Sequence, residues 1–140
     1  MNGQSRAKVM GTLVAVVVAA AIVAGIFVIG SPAGERARRL DERRVQDLSG
    51  ISRAVDVYWT RRTSLPATLQ ELRAETGADI AITDPATNAP YEFRTVEGQK
   101  YELCAVFEGE SGASGREVEA GFWSHRSGRQ CFQRDAAAVR

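Results

Sequence analysis

Cys104 and Cys131 are the only cysteines in the chain and His125 is its only histidine. Three chemistries could use them. Cys104, His125 and Cys131 could ligate a metal, but they include no close CxxC pair and no fourth partner. Ser124 with His125, or Cys104 with His125, could supply a nucleophile and its base. No nucleophile elbow accompanies either pair, and neighbours on one strand point to opposite faces, so His125 reads as a surface or edge residue. A single Cys104–Cys131 disulfide suits two cysteines that fall on separate predicted strands. Closing so long a loop is worth about 3–4 kcal/mol in the chain-entropy model. The glycine-rich stretch from Gly109 to Gly121 is acidic and would repel phosphate, so it does not read as a phosphate cradle. These residues imply no catalytic group, no bound metal and no cofactor. The chain reads as a protein that is not an enzyme.

The elements that must position the cysteines start with one apolar block. Val9 to Ile29 contains no charge, no Asn, no Gln and no Pro. About 20 such residues cross a hydrocarbon core as a helix, because lipid offers the backbone no other partners. A cleavable signal peptide is the competitor: Arg6 and Lys8 form a basic start, and Ser31-Pro32-Ala33 offers small residues. Its apolar region would be about 7–15 residues, shorter than this one, so the block reads as an uncleaved anchor. Gly11, Ala15 and Ala19, and again Ala21 and Gly25, have the spacing that lets two helices approach, which allows a homo-oligomer. Orientation is contested within the sequence. Arg6 and Lys8 precede the span, whereas Arg36, Arg38, Arg39, Arg43 and Arg44 follow it and favour a cytoplasmic C-terminus. The cysteines favour the opposite side, and the C-terminal domain is placed outside. The same arginines suit contact with anionic membrane lipid.

In a chain of 140 residues with 44% hydrophobic and 25% charged residues, the composition excludes whole-chain disorder. The net charge of +1, and an acidic stretch over residues 71–119, argue against nucleic acid. Gly30 to Gly34 is a five-residue breaker around Pro32, read as a hinge. Glu35 to Arg62 predicts an amphipathic helix with a core stripe of Leu48, Ile51, Val55 and Trp59 (or Tyr58) packed on a sheet. Pro66 begins a short second helix ending near Glu75, with Gly77 as its C-cap. Asp84-Pro85 to Ala89-Pro90 is turn chemistry. Tyr91–Val96 and Lys100–Phe107 alternate as strands of a hairpin closed by Glu97-Gly98-Gln99. Gly109 to Gly121 reads as a mobile loop. Phe122–His125 and Gln130–Phe132 read as short strands around the turn 126–129, and the tail from Gln133 as frayed.

This order of elements resembles the type IV pilin-like proteins, in particular the major pseudopilins of type II secretion systems. Ser64-Leu65-Pro66 through Leu72 and the turn motif Asp84-Pro85 through Pro90-Tyr91-Glu92-Phe93 carry the resemblance. Val16 stands where, counting from Gly11, the pilin-type Glu is expected, and no calcium ligand transfers residue by residue. The resemblance implies an α+β fold: an N-terminal transmembrane helix, then an amphipathic helix packed on a small antiparallel sheet. The expected organisation is a cytoplasmic N-terminus over 1–8, the span 9–29, the hinge 30–34, an extracytoplasmic domain 35–132 and a frayed tail 133–140. The expected function is that of a single-pass structural or interaction protein of the inner membrane, accessory to a secretion or envelope assembly, with a protein partner in the envelope. The alternative is a membrane-tethered ligand-binding or regulatory module using the 109–121 loop beside Trp123 and Tyr101.

Overall fold

A segment with no polar stripe has no face to bury against a soluble core, and α1 (Gly3–Ile29) has none. The computed structural model describes residues 3–29, 32–111 and 121–139. It divides into two compact units, residues 1–36 and 37–140. In the first, α1 leaves Val9, Leu13, Val16, Val17, Ile22, Ile26 and Phe27 each more than half exposed. An 18-residue window within it has a mean hydropathy of 3.0 and no buried share, and it is long and apolar enough to span a bilayer. Thr12 carries the one hydroxyl within residues 9–29, and it donates to Lys8 O at 2.9 Å, so that group is satisfied inside the helix.

The next helix, α2 (Pro32–Arg62), begins earlier than the expected Glu35. Proline at a helix start loses no hydrogen bond, because the first N–H groups have no partner within the helix. Of the expected hinge 30–34, residues 32–34 are therefore helical, and residues 30 and 31 lie outside those described.

Within the second unit, α2 turns one face inward through Asp41, Arg44, Leu48, Ile51, Val55 and Tyr58, steps of three and four residues, with Ser52 beside Ile51. Leu48, Ile51 and Val55 have no exposed surface. Trp59 is only partly buried, and Tyr58 fills the place at the end of the stripe. The helix packs on a three-stranded antiparallel sheet in the order β1 (Glu92–Thr95), β2 (Lys100–Phe107), β3 (Gly128–Asp135). Tyr101, Leu103, Ala105 and Phe107 of β2 and Phe132 of β3 are buried with the helix stripe in one core. Ser52 and Tyr101 join their hydroxyls at 2.8 Å across it. The β1–β2 hairpin closes as expected, with Gly98 supplying the positive φ of +59° that the tight turn requires.

Three expectations are corrected. The short helix α3 (Leu69–Thr76) starts at Leu69, not Pro66. Thr68 caps it by accepting Glu71 N at 3.1 Å, while the Glu71 carboxylate accepts Ala67 N at 2.9 Å. That pair fixes the first turn more strongly than the φ of Pro66. Its end at Gly77, in the left-handed region, is as expected. Phe122–His125 is not a strand: Gly121 and Phe122 lie in a helical turn. Phe122 and the buried Trp123 both pack on Phe132, with centroids 6.1 and 5.0 Å away, and alternation along a strand forbids neighbours on one side. The tail is not frayed at Gln133. The third strand runs to Asp135, Ala136 is buried, Ala137 N donates to Asp56 Oδ1 and Val139 N to Thr60 Oγ1, both at 2.9 Å. Side chains of α2 thus anchor the backbone past Ala136, whose own N–H still donates to Gln99 O at 2.9 Å. Of the expected mobile loop, residues 112–120 lie outside those described.

Replacing Ile51 with Ala should destabilise the domain by about 3 kcal/mol, because a fully enclosed side chain leaves a cavity. Trp59→Ala should cost less, since Trp59 is part-exposed. Denaturant unfolding of the full chain in detergent reads both, and equal losses would refute this assignment of the stripe.

Candidate functional site

A guanidinium on the buried face of a helix is tolerated only with full pairing, because desolvation alone would expel it. Arg44 occupies that position, one turn before Leu48, with its side chain 3% exposed. Its Nη1 donates to Asp41 Oδ1 at 2.7 Å within the same helix, and its Nε and Nη2 donate to the two carboxylate oxygens of Asp84. Asp84 belongs to the turn expected at residues 84–90. Its Oδ1 accepts the N–H groups of Ala86 and Thr87, each at 2.9 Å, and the Thr87 hydroxyl at 3.2 Å. Its own backbone closes the turn with Asn88 and Ala89, and Asn88 takes a positive φ of +57°. Asp41 then reaches the end of β2, where its carboxylate accepts Glu108 N at 3.0 Å and Gly109 N at 2.8 Å. One turn further along α2, Asp47 accepts the Tyr91 hydroxyl at 2.9 Å.

The electrostatics follow from this pairing. Burial works against the Asp84 carboxylate, but the Arg44 hydrogen bond and the Thr87 and Ala86 amides outweigh it and hold its pKa at about 2. The same bond to Asp84 raises Arg44 well above its ordinary value. Burial raises Asp47 despite the Tyr91 hydrogen bond, and burial first, Asp47 second, raises Tyr91. Among the described residues, no buried side-chain nitrogen or oxygen lacks a hydrogen-bond partner. The cluster is therefore a closed joint between helix, turn and sheet.

Within the turn motif, Asp84 and Tyr91 are buried and perform this joining, whereas Pro85 and Pro90 are exposed. Pro90 and Thr83 form an isolated antiparallel bridge that sets the base of the turn. Arg44 and Asp41 were legible only as members of the arginine-rich run after the span. The available signal was their phase, since Arg44 lies four and Asp41 seven residues before Leu48 on its own stripe.

Cys104 and Cys131 face each other across β2 and β3 and form the expected disulfide, with their Cα atoms 4.0 Å apart. Their sulfurs and a Glu102 carboxylate oxygen lie within 4.8 Å of one another, but both sulfurs are committed to the bond and present no thiolate to a metal. His125 is not a surface residue. It is buried, stacked on Phe107 with centroids 3.7 Å apart, and its Nδ1 donates to Gly109 O at 3.2 Å. Ser111 bonds the backbone of His125 and the hydroxyl of Ser124, so the imidazole is held by Gly109 rather than by either serine. Tyr101, expected beside a ligand pocket, has no exposed surface. A groove of about 360 Å³ lies instead between α2 and the chain after α3, lined by Gly50, Arg53, Val57, Thr76, Ala78 and Ile80 among others.

Comparison with protein-family models, with curated proteins and with solved structures finds no match. The class is therefore the one the fold itself defines: an α+β protein with a long apolar N-terminal helix and a small antiparallel sheet, a pilin-like layout.

Arg44→Ala should cost about 3 kcal/mol, because it strands two buried carboxylates, whereas Glu108→Ala, at a half-exposed carboxylate 3.6 Å from Arg44, should cost under about 1 kcal/mol. Asp84 also sets an acid limit. With its pKa depressed from 3.8 to about 2, its contribution is complete above about pH 4 and is lost as pH falls through about 2. Unfolding titrated over that window should lose about 2 kcal/mol that Asp84→Asn no longer shows.

Proposed function

We propose that this chain is a single-pass membrane protein with a structural or interaction role, and that its pilin-like domain lies outside the cytoplasm of the inner membrane. The apolar α1 is the anchor, and the domain from residue 37 onward is what it displays. The observation that carries the placement is the disulfide between Cys104 and Cys131, since such bonds form and persist in oxidising compartments. The arginines after α1 count the other way in charge bias, but folded domains translocate largely regardless of charge. Beside the bilayer they suit contact with anionic lipid headgroups.

The closed Arg44 joint supports a mechanical reading over a catalytic one. It consumes its charged groups in holding α2 to the turn and the sheet, which suits a subunit that presents a fixed surface to an envelope or secretion assembly. The layout and the motifs of residues 64–72 and 84–93 support a pilin-like accessory, while Val16 in the expected place of Glu argues against pilin-type filament assembly.

Intact cells treated with a membrane-impermeant maleimide test the placement. Cys104 and Cys131 should label only after reduction, and without cell lysis. Labelling that needs lysis, with no prior reduction, would place the domain in the cytoplasm.

A further inference from the structure

The face of the sheet turned away from α2 is built around the disulfide. Glu92, Cys104 and Cys131 are directly opposed across β1, β2 and β3, so they share that face. The two sulfur-bearing residues are covered unequally. Cys104 is 2% exposed, although it points to the solvent side, while Cys131 is only partly buried. Arg129, two residues before Cys131 and on the same face, forms a two-pronged pair with Glu92, its Nε and Nη2 donating at 2.9 and 2.6 Å. The same Nη2 lies 3.4 Å from Cys104 Sγ. A cation thus lies against one sulfur of the bond, and the residue that bears the other is the less buried of the two. A Glu102 carboxylate oxygen lies within 4.8 Å of both sulfurs, and Glu102 accepts from Arg94 Nη2 at 2.9 Å.

We propose that Cys104–Cys131 is a directional thiol-exchange site, at which an incoming thiolate attacks Cys131 Sγ and Cys104 Sγ departs as a thiolate beside the Arg129 guanidinium. The co-reactant is a dithiol. Its first sulfur forms a new S–S bond with Cys131 as the Cys104–Cys131 bond breaks, and the electron pair passes to Cys104 Sγ. The second sulfur of the dithiol, as its thiolate, then attacks the first, releasing the Cys131 thiolate and carrying the dithiol away as a disulfide. Two electrons reduce the bridge, and the reverse sequence restores it. Direction comes from access and from the leaving group: exchange is faster at the reachable sulfur and with the better-stabilised departing thiolate. The β2–β3 ladder remains after reduction, because its hydrogen bonds are main-chain, but the chain between the two cysteines loses its covalent closure.

The test uses the purified full chain in detergent and 2-mercaptoethanol, a small thiol whose reacting form is its thiolate. Quenching with excess N-ethylmaleimide marks the released thiol, and peptide mass spectrometry locates both groups. Mercaptoethanol on Cys131 with maleimide on Cys104 should exceed the converse by about tenfold. An even or reversed distribution would overturn the proposal. Arg129→Gln should slow adduct formation at Cys131 about threefold or more, with Arg129→Lys retaining most of the rate. An unchanged Cys131 rate in Arg129→Gln, with new attack at Cys104, would show a steric cover only and overturn the leaving-group role. Because the chain is purified, the outcome is independent of the side of the membrane on which the domain lies.

Discussion

The buried guanidinium of Arg44 organises the domain. Arg44 lies on the inward stripe of α2, where a guanidinium survives only if carboxylates meet it. Its two main partners come from different places in the chain: Asp41 from its own helix and Asp84 from a turn 40 residues onward. Asp41 extends the joint to the backbone of Glu108 and Gly109 at the end of β2. Helix, turn and sheet are thus docked by directional bonds with a fixed register. Leu48, Ile51 and Val55 supply non-directional burial below them. A buried pair of this kind adds little net stability over an apolar substitute, but breaking it is expensive. Its effect is to specify which turn lies against the helix.

The sheet carries two different environments on its two faces. Inward, Tyr101, Leu103, Phe107 and Phe132 meet the helix, and the buried hydroxyls of Ser52 and Tyr101 satisfy each other. Outward, Arg94–Glu102 pairs neighbouring strands and Arg129–Glu92 reaches from β3 to β1 across β2, both on the face of the disulfide. An outward disulfide needs no volume from the core, so the staple and the packing are independent. This separation lets the bridge have a chemistry of its own while the core stays closed.

Much of this architecture was legible because it depends on local rules. An uninterrupted apolar run, a three-and-four spacing, an alternating hairpin and a glycine after the last helical turn each signal their element with no knowledge of distant residues. The start of α3 was also local, in the Thr68-to-Glu71 box, but Pro66 masked it. Phe122–His125 and the tail were misread for another reason. Phe122 and Trp123 take their conformation from Phe132 and from Arg134, which lies 5.0 Å from one ring centroid and 5.9 Å from the other. Residues 136–139 take theirs from Asp56 and Thr60. Neither dependence leaves a periodic trace in its own segment.

By itself the amino-acid order determined that α1 has no polar face, that a stripe runs along α2 and that two cysteines fall on strands, since each follows from neighbours a few residues apart. Only the tertiary structure decided that Arg44 is a buried hub rather than one of a row of surface arginines, and that Arg129 lies against Cys104 Sγ. The physical reason is that burial and charge pairing are set by groups brought together from 25 to 68 residues apart. The chain order records their identities, and folding alone sets the distances between them.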